Sequence, residues 1–356
     1  MQEPAPVSNQ ILPWQGPLWS ALSQRFLAGT LAHAHLLHGE QGSGKLDFAR
    51  QLAGMMLCQQ PVQATVTGLI SACFNCRSCH LFAAGNHPDL LLITPEEGSN
   101  AIKVEQIRKL IEFTQRTAHG TKGRVILVYP AEAMATAPAN ALLKILEEPP
   151  QDTYFLLSSH QPGRLLATVR SRCQSQLMPI PDRATLGAWL QEELPEIESD
   201  QIDTVIDLTG GKPLQCLHAL QSGLPAYQQE LLDTLYTLTH SRGLATELAK
   251  KYEKTDREKL LRLLMRNVAL LINEQLSGQT VAGQSKDFRK LADRVLVSGA
   301  DNRPARQLLN LYRRLQAQLT QLTSGNNPNP LLALEEIFLA WQAVVGTIHK
   351  RNPGNI

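Results

Sequence analysis

The sequence predicts a parallel α/β domain followed by two helical units. Three observations predict it. Short apolar runs alternate with helical patterns through the first half, a glycine-rich turn joins the first run to a helix, and strand-like runs stop near residue 180. At 356 residues the chain is too long for one ordinary domain. Its 43% hydrophobic and 19% charged residues allow a sizeable buried core and exclude wholesale disorder.

The elements follow in order. Residues 34–38 (AHLLH) read as a strand, and a glycine-rich turn leads into a helix over 46–57. Residues 89–94 (DLLLIT) are a second strand. Residues 104–116 form an amphipathic helix, with Val104, Ile107, Leu110, Ile111 and Thr114 on one face. Residues 124–129 (RVILVY) are a third strand, and 139–147 a helix that Pro149 and Pro150 stop. Residues 153–159 are a fourth strand, 162–170 a helix-like segment, and 175–179 a fifth strand. Helices follow at 183–193 and 199–208. Residues 223–356 read as all-helical, with Leu308, Leu311, Tyr312, Leu315, Leu319 and Leu322 at helical spacing. Leu331, Leu334, Ile337, Phe338 and Trp341 repeat that spacing, and the polar stretches 276–285 and 323–330 read as loops. No internal repeat is evident.

A net charge of +2 does not advertise a dedicated nucleic-acid binder, which carries a basic stripe. The first residues show neither a basic nor an apolar leader region, and no run of 18 apolar residues occurs. A cytoplasmic chain with no membrane partner is therefore expected, where thiols stay reduced. The six cysteines then read as metal ligands or buried apolar groups.

Gly39-Glu40-Gln41-Gly42-Ser43-Gly44-Lys45-Leu46 fits the phosphate-loop pattern GxxxxGK and then departs from it. In such a loop the glycines let backbone N–H groups face the phosphates, the lysine meets the outer phosphates, and a Ser or Thr hydroxyl ligates Mg²⁺. Gly39, Gly42, Gly44 and Lys45 are thus candidates to hold ATP or ADP, weakly if at all; the plainer alternative is a turn that only joins strand to helix. Leu46 cannot ligate a metal. The Mg²⁺ site also draws on an acidic residue closing a later strand, but the run Val125 to Val128 closes on Tyr129 and Pro130, with Glu132 two positions beyond. No Mg²⁺ is expected.

Cys58, Cys73, Cys76 and Cys79 form the pattern C-x14-C-x2-C-x2-C. Four thiolates complete a tetrahedral zinc site, and x2 spacing lets neighbouring sulfurs share one ion. One structural zinc per chain is expected, stapling an excursion over 58–79. Cys76-Arg77-Ser78-Cys79-His80 also matches a haem-attachment pattern, which needs export, and a redox pair needs no third and fourth cysteine. His80 and His87 read as surface or packing residues, and Cys173 and Cys216 lack partners at metal spacing.

The runs from Asn140 to Pro150, Tyr154 to Leu157 and Arg164 to Cys173 resemble the shared core of the bacterial clamp-loader subunits of DNA polymerase III, an AAA+ family. The resemblance covers about residues 30–220. It implies a RecA-like domain over 1–180 carrying the zinc insertion, a helical lid over 181–222 and an all-helical collar over 223–356 that joins siblings in a hetero-oligomer. Ser171-Arg172-Cys173 is similar to the motif that supplies an arginine finger to ATP on the adjacent subunit, which makes Arg172 the candidate catalytic residue, in trans. Guanidinium is permanently charged and forked, and so suits charge developing on a transferred phosphoryl group. Arg170 is the alternative. The hydrolysing members carry the Asp-Glu pair that Tyr129 and Pro130 displace, and a lid arginine where this chain has Leu214. The resemblance therefore points to the non-hydrolysing member, partnered by gamma/tau-type ATPase subunits and a delta subunit, with the sliding clamp and primer-template DNA reached through the assembly. The alternatives are an active gamma/tau-like ATPase and a zinc-stabilised nucleic-acid-binding protein with a vestigial loop. Lys103, Arg108, Lys109 and Arg116 put positive charge on the helix after the second strand, more often a solvated face than a phosphate contact.

Overall fold

A five-stranded parallel sheet forms around the strand that precedes the glycine loop. The computed structural model describes residues 11–64, 67–116, 118, 123–240, 244–280, 285–296, 303–324 and 329–349. In chain order α1 spans Gly16–Leu27, β1 Ala34–His38, α2 Lys45–Leu57, β2 Val62–Gln63, β3 Ile70–Ser71, α3 Arg77–Ala83, β4 Leu90–Ile93 and α4 Val104–Gln115. Then come β5 Arg124–Val128, α5 Thr136–Glu147, β6 Thr153–Ser159, α6 Ala167–Arg170 and β7 Gln174–Leu177. The sheet order is β4-β5-β6-β1-β7, every pairing parallel, while β2 and β3 make a separate antiparallel ribbon.

Period-two alternation sorts the strand residues onto two faces. Ala34, Leu36, Ile126, Val128, Phe155 and Leu157 pack with α4 and α5 in one core. Leu37, Val125, Leu127 and Leu156 pack with α1 and α2 in the other. The sheet is covered on both sides, as parallel sheets require.

Beyond β7, among the described residues, every element is helical: α7 Arg183–Glu193, α8 Ser199–Thr209, α9 Pro213–Gln221, α10 Leu224–His240, α11 Ala245–Tyr252, α12 Arg257–Ser277, α13 Lys286–Val295, α14 Arg303–Thr323 and α15 Pro330–His349. Contacts divide the chain into Met1–Leu190 with Gly211–His218, and Gln191–Gly210 with Ala219–Ile356. The second unit has its own core, in which Leu308, Leu311, Leu315, Leu334, Ile337, Phe338 and Trp341 are buried. Asp256 and Ser285 cap α12 and α13 by accepting from Lys259 N–H and Phe288 N–H. Glu274, almost fully buried, is matched by a forked pairing with Arg289 at 2.9 Å on each oxygen. Among the described residues no helix is long and apolar enough to cross a membrane.

Three sequence readings change. The helix expected over 139–147 begins at Thr136, because Pro138 falls in the first turn, where a missing N–H costs nothing. The helix-like segment 162–170 is broken: a 3-10 turn at Pro162–Arg164 and α6 are separated by extended Leu165 and Leu166. The expected loops narrow, since α12 runs to Ser277 and α15 starts at Pro330; residues 281–284 and 325–328 lie outside the described residues.

His35, in mid β1, is fully buried, and burial lowers its pKa to about 4; the Ala32 backbone opposes the shift, and the charges of Arg25 and His33 add to it. A histidine protonated more easily unfolded (near 6.5) than folded favours unfolding once the pH falls below the unfolded value. Stability is therefore complete above about pH 6.5 and is lost as the pH falls towards 4, by about 3 kcal/mol at most from this residue. Urea unfolding of the wild type at pH 7 and pH 4.5 should show this loss, and His35→Leu should remove most of it. Equal pH slopes for the two proteins would rule His35 out as its source.

Candidate functional site

The glycine loop lies at the carboxyl end of β1, between β6 and β7 in the sheet, where open parallel sheets place ligand crevices. Gly39, Gly42 and Gly44 have φ of 152°, 85° and 79°, which L side chains rarely adopt, so the pattern of glycines is a backbone requirement. Its inner surface is filled by the same chain. A Cβ on Gly42 would stand 2.9 Å from Gln215 Cγ, and one on Gly44 would stand 3.0 Å from Leu12 Cδ1 and 3.2 Å from Gln15 Nε2. Gln15 donates to the Ser43 carbonyl at 3.0 Å, and Leu214 N–H donates to the Gly42 carbonyl at 3.1 Å.

Lys45 turns back into this loop. It is 2% exposed, and its Nζ donates to the carbonyls of Gly39 (2.9 Å) and Glu40 (2.5 Å) and to Ser43 Oγ (3.3 Å). Burial lowers its pKa to about 8, with the charges of Glu132 and Glu40 pulling the other way. Leu46, 8% exposed, packs into the core where a hydroxyl would stand in a metal-binding loop.

At the end of β5 an aromatic pair and a carboxylate face the exit of β6. Tyr129 Oη is 3.0 Å from His160 Nε2, and the rings meet edge to face with centroids 5.3 Å apart. Glu132 Oε1 accepts from the N–H groups of His160 (2.9 Å) and Gln161 (3.2 Å), so this carboxylate fastens the exit of β6. Burial lowers the His160 pKa, and the Lys45 charge lowers it further.

The four cysteines converge. All four Sγ atoms lie within 4.8 Å of one another, and three pairs are 3.5 Å (Cys76 and Cys79), 3.9 Å (Cys73 and Cys79) and 4.0 Å (Cys58 and Cys76) apart. A tetrahedral ion with bonds of about 2.3 Å to sulfur separates its ligands by about 3.8 Å. The thiols present thus fit such an ion. Cys73 N–H and Cys79 N–H donate to the sulfurs of Cys58 (3.3 Å) and Cys76 (3.4 Å). The Cys76 thiol is pulled down to about 6: burial opposes this, and N–H groups of Cys79 and Gln59 with the neighbouring thiols overcome it. Cys173 and Cys216 are buried elsewhere, the former with its pKa pushed up to about 12 by burial.

A brace behind the cysteines is absent from the sequence reading. Ser78 Oγ–H donates to the Leu57 carbonyl at 2.6 Å and sits 2.7 Å from His87 Nε2, while His87 Nδ1 accepts from Asp89 N–H at 3.1 Å. With Nδ1 an acceptor, Nε2 carries the proton and donates to Ser78. Three elements are tied by one consistent chain: the end of α2, α3 and the start of β4. Its only sequence signal is a serine between the paired cysteines and a histidine two residues before Asp89. His80 is exposed.

Arg172 follows α6. Its Nε donates to Glu147 Oε1 at 2.9 Å and its Nη2 to the same oxygen. Its Nη1 donates to the Thr168 carbonyl at 2.9 Å and to Ser171 Oγ at 3.3 Å. Glu147 is the second residue that the sequence reading missed; it closes α5, just before the stop at Pro149 and Pro150.

A parallel sheet of this order with a glycine loop after β1 is a RecA-like α/β fold, here joined to a helical carboxyl-terminal region. The family model described as "DNA polymerase III, delta subunit" matches residues 14–181. The DNA polymerase III subunit delta' of Pseudomonas aeruginosa is 34% identical over 94% of this chain and 98% of its own. That of Yersinia pestis is 32% identical over 94% and 96%. A subunit gamma/tau of Mycobacterium tuberculosis is 30% identical over 67% of this chain but only 40% of its own length. The chain belongs to the DNA polymerase III subunit delta' family.

Ser78→Ala leaves the His87 N–H and the Leu57 carbonyl without their shared partner in a buried place. It should destabilise the protein by about 1–3 kcal/mol, read as a lower urea midpoint. A midpoint equal to wild type would show that the brace carries no stability.

Proposed function

We propose that this chain is the non-hydrolysing subunit of a clamp loader, one that lends Arg172 to ATP bound on a neighbouring gamma/tau-type subunit. The observation that carries the reading is the state of the glycine loop. Lys45 is spent on its own loop's carbonyls, and Leu46 occupies the place of the Mg²⁺-binding hydroxyl. Tyr129 and Pro130 stand where a metal-holding acid would close β5. Gly39, Gly42, Gly44 and Lys45 then hold ATP or ADP weakly or not at all, without Mg²⁺. The chemistry that remains is electrostatic and supplied in trans: a guanidinium on the surface of one subunit, offered to phosphate on the next.

Cys58, Cys73, Cys76 and Cys79 would hold one zinc. A closed four-thiolate site supplies a crosslink, with no open position for substrate. In this reading residues 1–180 form the AAA+ domain, 181–222 a lid and 223–356 a collar that joins sibling subunits, including delta, in the cytoplasm. The sliding clamp and primer-template DNA are met through the assembly. The gamma/tau-like alternative needs Mg²⁺ ligands at positions 46 and 129–130, which Leu46, Tyr129 and Pro130 do not offer.

Metal analysis of the purified chain should give about one zinc per chain, and a fully folded, metal-free preparation would refute the assignment. The isolated chain should show no ATP turnover above background. In the reconstituted loader, Arg172→Ala should leave assembly intact. The ATP site it serves should lose about 10³–10⁵ in rate, so that DNA-stimulated turnover falls by that site's share. Unchanged turnover would remove Arg172 from this role.

A further inference from the structure

We propose that Glu147 is the positioning residue for Arg172: it holds the guanidinium in one orientation, ready for a phosphate on the neighbouring subunit. The inference rests on the arginine-finger reading of Arg172 and assigns that finger a partner.

Glu147 takes two of the four hydrogen bonds that fix the guanidinium, from Nε and Nη2 on one carboxylate oxygen. The other two anchor Nη1 to α6 and its cap, at Thr168 and Ser171. The anchors come from separate elements, the last residue of α5 and the end of α6. They therefore fix the arginine side chain relative to the domain and not only to its own loop. A guanidinium has five donor hydrogens, so the second Nη2–H is left for an incoming acceptor.

Exposure decides between a positioning role and a trap. The Arg172 side chain is 33% exposed and that of Glu147 49%. An ion pair so exposed is worth a factor of about five or less in equilibrium, which a phosphate can displace readily. A trap would need burial on both sides. A pair of this strength instead restricts a long, rotamer-rich side chain before the encounter, so that less freedom is lost when it meets phosphate. The effect belongs to the transition state on the adjacent subunit and not to ATP binding there.

The test uses the reconstituted loader with Glu147→Gln, Arg172→Ala and the double variant, reading kcat and KM for ATP in DNA-stimulated hydrolysis. Glu147→Gln should lower the rate at the ATP site that Arg172 serves about three- to fivefold, in line with the worth of an exposed pair, so that kcat falls by most, but not all, of the share lost in Arg172→Ala. KM for ATP, assembly and the melting temperature of the chain should stay unchanged. In the Arg172→Ala background the same change should have no effect. Unaltered kcat for Glu147→Gln overturns the proposal, and a raised kcat shows a trap. An equal loss with Arg172 already removed also overturns it, because Glu147 then acts through something else. If Arg172→Ala alone has no effect, the finger reading itself has failed, an outcome distinct from these.

Discussion

A buried ammonium ion has to be answered, and the answer found for Lys45 sets the character of the whole domain. Taking a charge out of water costs several kcal/mol unless hydrogen bonds or counter-charges replace the lost hydration. Here the carbonyls of Gly39 and Glu40 and the hydroxyl of Ser43 replace it, with Glu132 and Glu40 supplying negative field. In a working phosphate loop that role falls to the nucleotide. A lysine satisfied by its own backbone must give up those bonds before it can reach a phosphate. The loop's own cover, Gln215 on Gly42 and Leu12 and Gln15 on Gly44, has to move as well.

The helix that carries this lysine also leads into the cysteine cluster. α2 starts at Lys45 and ends at Leu57, directly before Cys58, whose sulfur accepts from Cys73 N–H. Thirteen helical residues span about 20 Å, so one rigid rod joins the glycine loop to the cysteine cluster. Gly54, on that rod, is open enough for the Phe82 ring of α3 to approach; a Cβ there would be 3.2 Å from the ring. The Ser78–His87 chain closes the triangle by fixing α3 to both α2 and β4. A metal bound by the thiol cluster would hold a short, ribbon-and-helix excursion, β2 to α3, that has little apolar core of its own.

The long periodic elements were legible in the sequence. β1, β5 and β6 are apolar runs bounded by turn residues, and α7 and α8 appear with starts where periodicity puts them. The glycines and the four cysteines were legible because each chemistry demands residue types at fixed spacing. What was missed depends on contacts between segments far apart in sequence. α1 opens with Gly-Pro and shows its apolar face only against α2, through Trp19 on Phe48. β2, β3 and α3 are too short for a period to show. The break inside 162–170 has no glycine or interior proline at Leu165-Leu166 to announce it. Glu147 looks in sequence like half of an exposed Glu-Glu pair, and only folding brings Arg172 to it, 25 residues later.

The two cations of the candidate site are therefore set up in opposite ways, and burial makes the difference. Lys45 lies inside, and burial lowers its pKa to about 8; its bonds are to the carbonyls and a hydroxyl of its own loop, which no competitor reaches without displacing packed side chains. Arg172 lies at the surface and is held by a carboxylate that water already weakens. A charge meant for the chain's own nucleotide would be expected at the loop, poised and solvated. A charge meant for another subunit's nucleotide would be expected on the surface, oriented and easily transferred. The sealed lysine and the tethered, accessible arginine divide along that line, in keeping with the role proposed for Arg172.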